Sequence, residues 1–431
     1  MPGMMAAHGP QRALKIAVLV TLERGPQAGG HVKCWERFAE AAAEMPERVD
    51  LTLHFLGAGT RTETLAPNVR FQEHPARFGT RRLPFLDTGA GHTDLARHHP
   101  ALMRALAGSD VVHATDFFSF GRTALAFVRG TGCGLVASIH TDVPLFTRIY
   151  ARDALRKLLG PLGDHLVERW HVPDLCARHI ARGIEGQLAR CDRVLVSKCE
   201  DLVRLDSGKL KGRVTFLRRG INRARFSPAH RDRAWMLAEH GIPPDRPVLL
   251  FAGRADASKN VMVAADAAAR LIGEGRDLQL VVAGSGSGVD AIRAKLGARA
   301  TLPGTVPQPL LARYLASADL FLFPSTTEVS PNVVLEAKAS GLPVLVAGAH
   351  GGGQFIARPG IDGVIVESTA PDAWADAARA LLLDPAGRQS MGVAARRWVE
   401  EAWPSWRQVL EEDLLPAWNA AAETGRARRD R

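Results

Sequence analysis

The stretch after Phe323 in this 431-residue chain, PSTTEVSPNVVLEAKASGLPV, holds two carboxylates eight residues apart, Glu328 and Glu336. The spacing predicts a helix that begins near Asn332, with Glu328 in the loop before it and Glu336 about one turn inside. A helix start offers N–H groups with no intrahelical acceptor and the positive end of the helix dipole, which together suit an anion such as a diphosphate. Carboxylates do not bind phosphate. Flanking such an anion, they would take hydroxyls of a sugar and of a ribose. The same spacing also fits a capping carboxylate followed by a surface glutamate. A second set lies in the first half, where His113 and Asp116 end the run VVHATD. They could contact a second substrate, move a proton, or cap a helix. Gly29-Gly30 would let a backbone come close to a ligand, or simply form a tight turn.

These residues need elements to hold them. Residues 15–20 (KIAVLV) and 248–253 (VLLFAG) are apolar runs, each followed by glycine and then by helical spacing at 32–43 and 260–272. Similar runs occur at 51–56, 111–113, 135–139 and 193–197 in the first half. In the second they occur at 278–283, 320–323, 344–346 and 363–366. Helical segments at 101–107, 310–316, 333–340 and 373–383 lie among them. Continuous rather than alternating apolar runs are what parallel strands buried on both faces look like. Their alternation with helices predicts an α/β protein of two doubly wound, Rossmann-like domains. Expected boundaries are 1–215, 216–400 and 401–431, with a linker in 212–228. The last segment reads as a Trp-rich helical stretch returning to the first half, plus a basic tail. Residues 1–12 and 426–431 read as disordered. Ligands of open α/β sheets lie beyond the carboxyl ends of the strands, so two such domains face to face would form a cleft lined by these loops.

Composition narrows the partners. With 46% apolar and 23% charged residues the chain is globular. Its five cysteines form no CxxC pair, which argues against a disulfide framework or zinc site and for a reducing, cytoplasmic setting. No apolar run reaches the ~18 residues that span a bilayer, and residues 14–22 read as a strand rather than a signal peptide. The net charge of +10 would suit nucleic acid, an anionic membrane or phosphorylated ligands. Two tyrosines, 6% aromatics and no helix-turn-helix, zinc-finger or RNP pattern argue against nucleic acid. Residues 204–225 carry eight Lys and Arg against Asp206 alone, and residues 77–104 carry five Arg against Asp87 and Asp94. Residues 148–190 mix Arg148, Arg152, Arg156 and Lys157 with Ile149, Leu155, Leu158 and Leu159. That pattern fits either an anionic membrane surface or a solvated face.

From Glu328 to Glu336 the chain resembles the E-x7-E signature of the family-4 retaining glycosyltransferases, which have the GT-B fold. Ala337, Ala339-Ser340-Gly341 and Pro343-Val344 continue the likeness. So do Arg219-Gly220-Ile221-Asn222, Arg225-Phe226-Ser227-Pro228, residues 251–260 (FAGRADASKN), Gly284-Ser285-Gly286 and residues 315–328. In the first half, Gly29-Gly30 and Ser138-Ile139-His140-Thr141 sit where the family has its glycine loop and histidine. The resemblance is specific over 215–367 and looser before. It implies that Arg254 and Lys259 grip the donor diphosphate and, with His140 and Glu328, form the catalytic set. It also implies that Glu336 holds the ribose and Glu328 the sugar hydroxyls, while the amides of Val333 and Val334 meet the phosphates. Gly29, Gly30, Gly253, Gly284, Ser330 and Asn332 complete the donor site, and His113 and Asp116 would face the acceptor.

The implied activity moves a hexose from a nucleoside-diphosphate sugar, GDP-mannose or a UDP-hexose, with retention and without metal or other cofactor. No DxD triplet occurs in the chain. The likeness is to bacterial mannosyl and glucosyl transferases, which points to a lipid, lipid-linked or glycan acceptor in envelope glycolipid or polysaccharide synthesis. It also points to a place on the inner face of the plasma membrane. Five positions depart from the family pattern. Ser330-Pro331 replace Phe-Gly, Phe355 replaces a Glu, Ser287 a Pro and Lys338 a Met. Proline has no N–H, so any sugar contact from the glycine amide is lost. These departures keep open a non-catalytic nucleotide-sugar-binding protein, or a GT-B epimerase.

Overall fold

The apolar runs form the central strands of two sheets. The structure, a computed structural model, describes residues 12–25, 28–82, 92–328, 330–348 and 351–430. The first sheet contains β1 (Leu14–Glu23), β2 (Val49–Gly57), β3 (Arg61–Ala66), β4 (Val69–Pro75), β5 (Val111–Ala114), β6 (Gly134–Ile139), β7 (Arg193–Val196) and β8 (Val214–Phe216). Their order is β3-β4-β2-β1-β5-β6-β7-β8, and only β3 with β4 is antiparallel. The second sheet contains β9 (Val248–Ala252), β10 (Gln279–Ala283), β11 (Ala300–Gly304), β12 (Leu320–Phe323), β13 (Val344–Ala347) and β14 (Val364–Val366). It is wholly parallel, in the order β11-β10-β9-β12-β13-β14.

Both sheets are thus α/β and doubly wound, as the strand–helix alternation predicts. In each, the strand order reverses beside the first strand, between β1 and β5 and between β9 and β12. A crevice opens at such a reversal, because the connections on either side leave in opposite directions. All of β9 and all of β12 is buried, so the loops that follow them start from a fixed base. The helix Val261–Gly273 lies against this base through Ala264, Ala265, Ala267 and Ala268, all fully buried. Small side chains there let helix and sheet approach closely.

The chain divides into two compact units, Met1–Arg218 with Arg407–Arg431, and Arg219–Trp406. The expected boundaries were 215 and 400. The linker expectation needs correction at its start, since residues 214–216 are β8 inside the first sheet. The expectation of a disordered end at 426–431 is also wrong for the described part, because a helix runs Leu415–Arg429. Its last turn is tied down by Arg428, whose two Nη atoms donate to the two carboxylate oxygens of Asp192 at 2.7 and 2.9 Å. This helix lies on β6 so closely that a Cβ at Gly134 would come within 2.4 Å of the Ala421 backbone. At the other end, residues 1–11 lie outside the described residues, while Arg12 pairs with Asp110 at 2.7 Å. Asp87, Arg431 and the Arg81 side chain also lie outside them.

Candidate functional site

In the second unit, the loops after β9 and β12 leave the sheet at the reversal point. The β9 loop carries Arg254 and Lys259, and the β12 loop carries Glu328. Lys259 Nζ donates to Glu328 Oε1 in a short contact, and Ser325 Oγ donates to the same oxygen at 2.8 Å. Arg254 is held by Asp256 (3.3 Å) and donates to Ser258 Oγ at 2.8 Å. Two further bonds bridge the loops. Asn260 Nδ2 donates to Pro324 O at 3.0 Å, and Thr327 Oγ1 to Ser258 O at 3.0 Å. Asn260 sits at φ 52°, a left-handed conformation that Asn tolerates better than most residues.

Glycines bring in a third loop, the one after β10. Gly253 has φ +147°. A Cβ at Gly284 would lie 1.7 Å from Gly253 O, and one at Gly286 would lie 2.5 Å from Ala255 O. Ala255 N donates to Ser285 O and Gly288 N to Ala255 O, at 3.0 and 2.8 Å. Any side chain at 284 would push the Arg254 loop off its seat. Gly253 and Gly284 therefore shape the site through backbone packing.

The helix expected from Asn332 runs Asn332–Ala339. Helix geometry leaves the Asn332 and Val333 amides without an intrahelical acceptor. The Val334 amide differs from expectation, since it donates to Pro331 O at 3.2 Å and Val334 itself is fully buried. Asn332 Oδ1 is buried without a hydrogen-bond partner. A buried polar atom left unpaired is costly in a folded chain, and this one stands at the start of the helix that carries Glu336. Ser330 and Glu336 are half-buried beside it.

In the first unit, Gly29 has φ −68° and ψ 173°, open to any residue. A Cβ at Gly29 or Gly30 would meet nothing within 4 Å. The backbone therefore does not need glycine there, and the tight-turn reading falls away. His140, just past β6, is 7% exposed and stacks on His31 with ring centroids 4.4 Å apart.

His113 and Asp116 are both engaged by other parts of the first unit. His113 lies inside β5, fully buried, accepting from Trp418 Nε1–H at 3.0 Å, with its other ring nitrogen 2.8 Å from Ser138 Oγ. Asp116 accepts from the amide and hydroxyl of Thr21 and from Phe118 N. Its carboxylate is filled by its own fold, and burial pushes its pKa up against these bonds.

The comparisons with known proteins bear on this geometry. A family model described as Glycosyl transferases group 1 matches residues 232–398. Over 362 residues the chain is 31% identical to D-inositol 3-phosphate glycosyltransferase 1 of Catenulispora acidiphila, covering 80% of each protein. The chain belongs to the group 1 glycosyltransferases. Among solved structures, sucrose-phosphate synthase from Thermosynechococcus elongatus matches with TM-score 0.69 at 20% identity, over 96% of this chain and 98% of that one. Anabaena HepE, solved with UDP and glucose, matches with TM-score 0.63 at 16% identity, over 93% and 99%. The two doubly wound sheets of this glycosyltransferase are thus the GT-B fold. The Catenulispora relative is named for D-inositol 3-phosphate, which differs from the lipid-linked mannose or glucose transfer expected from sequence.

Two of this glycosyltransferase's departures from the family pattern turn out to touch. Lys338 is fully buried, paired with Asp362 at 2.8 Å, with its ammonium 3.8 Å from the Trp398 ring centroid. It also donates to Phe355 O. Burial pushes its pKa down to about 8, and Asp362 opposes that shift. The Phe355 side chain is 1% exposed and meets Trp403 edge-on at 5.2 Å. Phe355 and Lys338 therefore form one packed and ion-paired set behind the Glu336 helix. Sequence reading missed Ser325, Asp256, Ser258 and Thr327, which position the named residues. Their signal was placement, since each is a polar residue within a few positions of a buried strand's carboxyl end.

Proposed function

We propose that this glycosyltransferase moves a hexose from a nucleoside-diphosphate sugar, with retention, to a hydroxyl of an acceptor held by the first unit. The observation that carries this is the gathering of Arg254, Lys259, Glu328 and the Asn332 helix start where β9 and β12 part. Cations and helix amides there would offset charge on a leaving diphosphate. The acceptor hydroxyl attacks the face from which the diphosphate departs, and a phosphate oxygen takes its proton. Diphosphate binding draws Lys259 away from Glu328, and the released carboxylate takes sugar hydroxyls. Among acceptors, a polyol phosphate of the kind named for the relatives is the first choice. A thermal-shift panel of UDP, GDP and ADP, followed by transfer assays with D-inositol 3-phosphate, tests the reading. One nucleoside diphosphate should raise the melting temperature by several degrees. No shift with any of the three, and no sugar transferred or hydrolysed, would overturn it.

A lipid-linked acceptor is favoured by a different observation. Three helices, Val143–Leu159, Pro161–Glu168 and Val172–Leu188, carry Leu158, Leu159, Leu162 and Leu175, and the connection between the last two carries Trp170, all at 43–64% exposure. Arginines 148, 152 and 156 accompany them, each with an acidic neighbour within 4 Å. The basic run at 204–225 supports this less than its sequence suggests. It is split between the two units after Arg218, and Arg218 is taken by Asp413 and Glu412 at 2.6 Å each. Apolar and basic groups together favour an anionic interface. Sedimentation with vesicles containing anionic lipid should show binding that weakens with salt. Leu158→Ser with Trp170→Ser should abolish it, and no binding by the parent chain would remove the lipid reading.

A further inference from the structure

The Trp418 indole N–H donates to Nδ1 of His113 at 3.0 Å. An indole nitrogen is a donor only. His113 Nδ1 therefore carries no proton, and the neutral ring holds its proton on Nε2. That nitrogen lies 2.8 Å from Ser138 Oγ and donates to it. Ser138 is fully buried, and its Oγ lies 2.7 Å from a second ring nitrogen, His140 Nε2. Because His113 Nε2 is already protonated, His140 Nε2 is the acceptor for the serine hydroxyl proton. His140 is left with its own proton on Nδ1. Its ring plane is fixed as well, by the stack on His31 at an interplanar angle of 12° and by the Trp35 ring at 5.8 Å. His31 is itself oriented. Its Nε2 lies 2.9 Å from Thr115 Oγ1, whose hydroxyl proton goes to Leu19 O at 2.8 Å.

We propose that Trp418, His113 and Ser138 are positioning residues that hold His140 as the neutral Nδ1–H tautomer, with Nε2 withheld from substrate. The proposal rests on the reading of His140 as a donor-site residue. Each link has one polarity. Reversing any of them, or protonating His140 on Nε2, leaves the Trp418 N–H or the Ser138 O–H buried and without an acceptor. A ring nitrogen's role is set by the hydrogen bond made by the other nitrogen. Here that bond is controlled from the C-terminal helix, two side chains away.

The test is ¹⁵N NMR of histidine side chains in the full-length protein, which reads the protonation of each ring nitrogen. His140 signals are assigned by their loss in His140→Gln. In the parent protein His140 should be protonated on Nδ1 and bare on Nε2, and His113 the reverse. Trp418→Phe keeps a ring in place but removes the N–H. His140 should then become a mixture of tautomers, and kcat should fall about tenfold with KM for the donor little changed. Ser138→Ala, a smaller change at the next link, should give the same spectroscopic result. It serves alone if Trp418→Phe fails to fold. A single Nδ1–H tautomer in both variants, or an Nε2–H tautomer in the parent, would overturn the proposal. The spectra need no turnover. A correct tautomer in a protein that transfers no sugar would instead count against the proposed function.

Discussion

Glu328→Ala should lower sugar transfer by about a thousand-fold, while affinity for the nucleoside diphosphate holds or rises. The two halves of this expectation come from one contact. In the structure Glu328 occupies the Lys259 ammonium and is itself fixed by Ser325. A diphosphate must therefore compete with Glu328 for Lys259. Deleting the carboxylate removes the competitor, and the pair's side chains are only 19% and 14% exposed. An ion pair of this kind is worth on the order of 1 kcal/mol, so affinity should rise by up to about fivefold. Transfer falls because the sugar loses its carboxylate partner. Lys259→Ala should do the reverse at the binding step and weaken the diphosphate. Calorimetric titration beside a transfer assay separates the two. If Glu328→Ala loses nucleotide affinity as steeply as transfer, Glu328 serves only to hold Lys259 in place.

Acidification from pH 7 to pH 5 should unfold the first unit ahead of the second. In three of its buried histidines burial pushes the pKa down, to about 3 for His54, about 4 for His74 and about 3 for His113. In the unfolded chain they titrate near 6.5, so below that pH the unfolded state binds more protons. Stability is therefore full above about pH 6.5 and falls as pH drops toward the folded values. At pH 5 each histidine costs about 2 kcal/mol, roughly 6 kcal/mol together. That is comparable with the total stability of an ordinary domain, about 5–15 kcal/mol. His54 and His74 cannot share a second proton easily, since Nδ1 of one lies 3.0 Å from Nε2 of the other. Scanning calorimetry across this range should show one transition moving to lower temperature while another stays. A pH-independent profile would mean that these rings titrate normally.

Much of this architecture is legible in the residues themselves. VLLFA and LFLF announce buried parallel strands, because only such strands are apolar on both faces. The strands that escape reading lack that feature. β3, RTETLA, is a mostly exposed antiparallel edge. β11 contains a proline and has no fully buried residue, and β8 has three residues. The second-unit site is legible for the same reason the strands are, because its residues stand just past their carboxyl ends. The surroundings of His113 are not legible, because its partner, Trp418, is 305 residues away. Nothing in VVHATD distinguishes a histidine facing a ligand from one facing a distant indole. The burial of Lys338 is hidden for a related reason. A lysine reads as solvent-facing, yet its counter-charge Asp362 lies 24 residues on, across a loop. Its neighbours Ala337, Ala339, Ser340 and Gly341 are all small, which was the available sign of a crowded position.

The division of the chain has a consequence for its biosynthesis. The second unit is one uninterrupted segment, whereas the first is assembled from both ends of the polypeptide. A ribosome therefore releases everything the nucleotide-binding unit needs before it has made the helix that covers β6. Until residues 407–430 emerge, β6 lacks its cover and Asp192 lacks Arg428. The first sheet must wait with an apolar face open to solvent, a state in which newly made chains call on chaperones. A chain that stops before residue 407 would hold the second unit entire and the first unfinished.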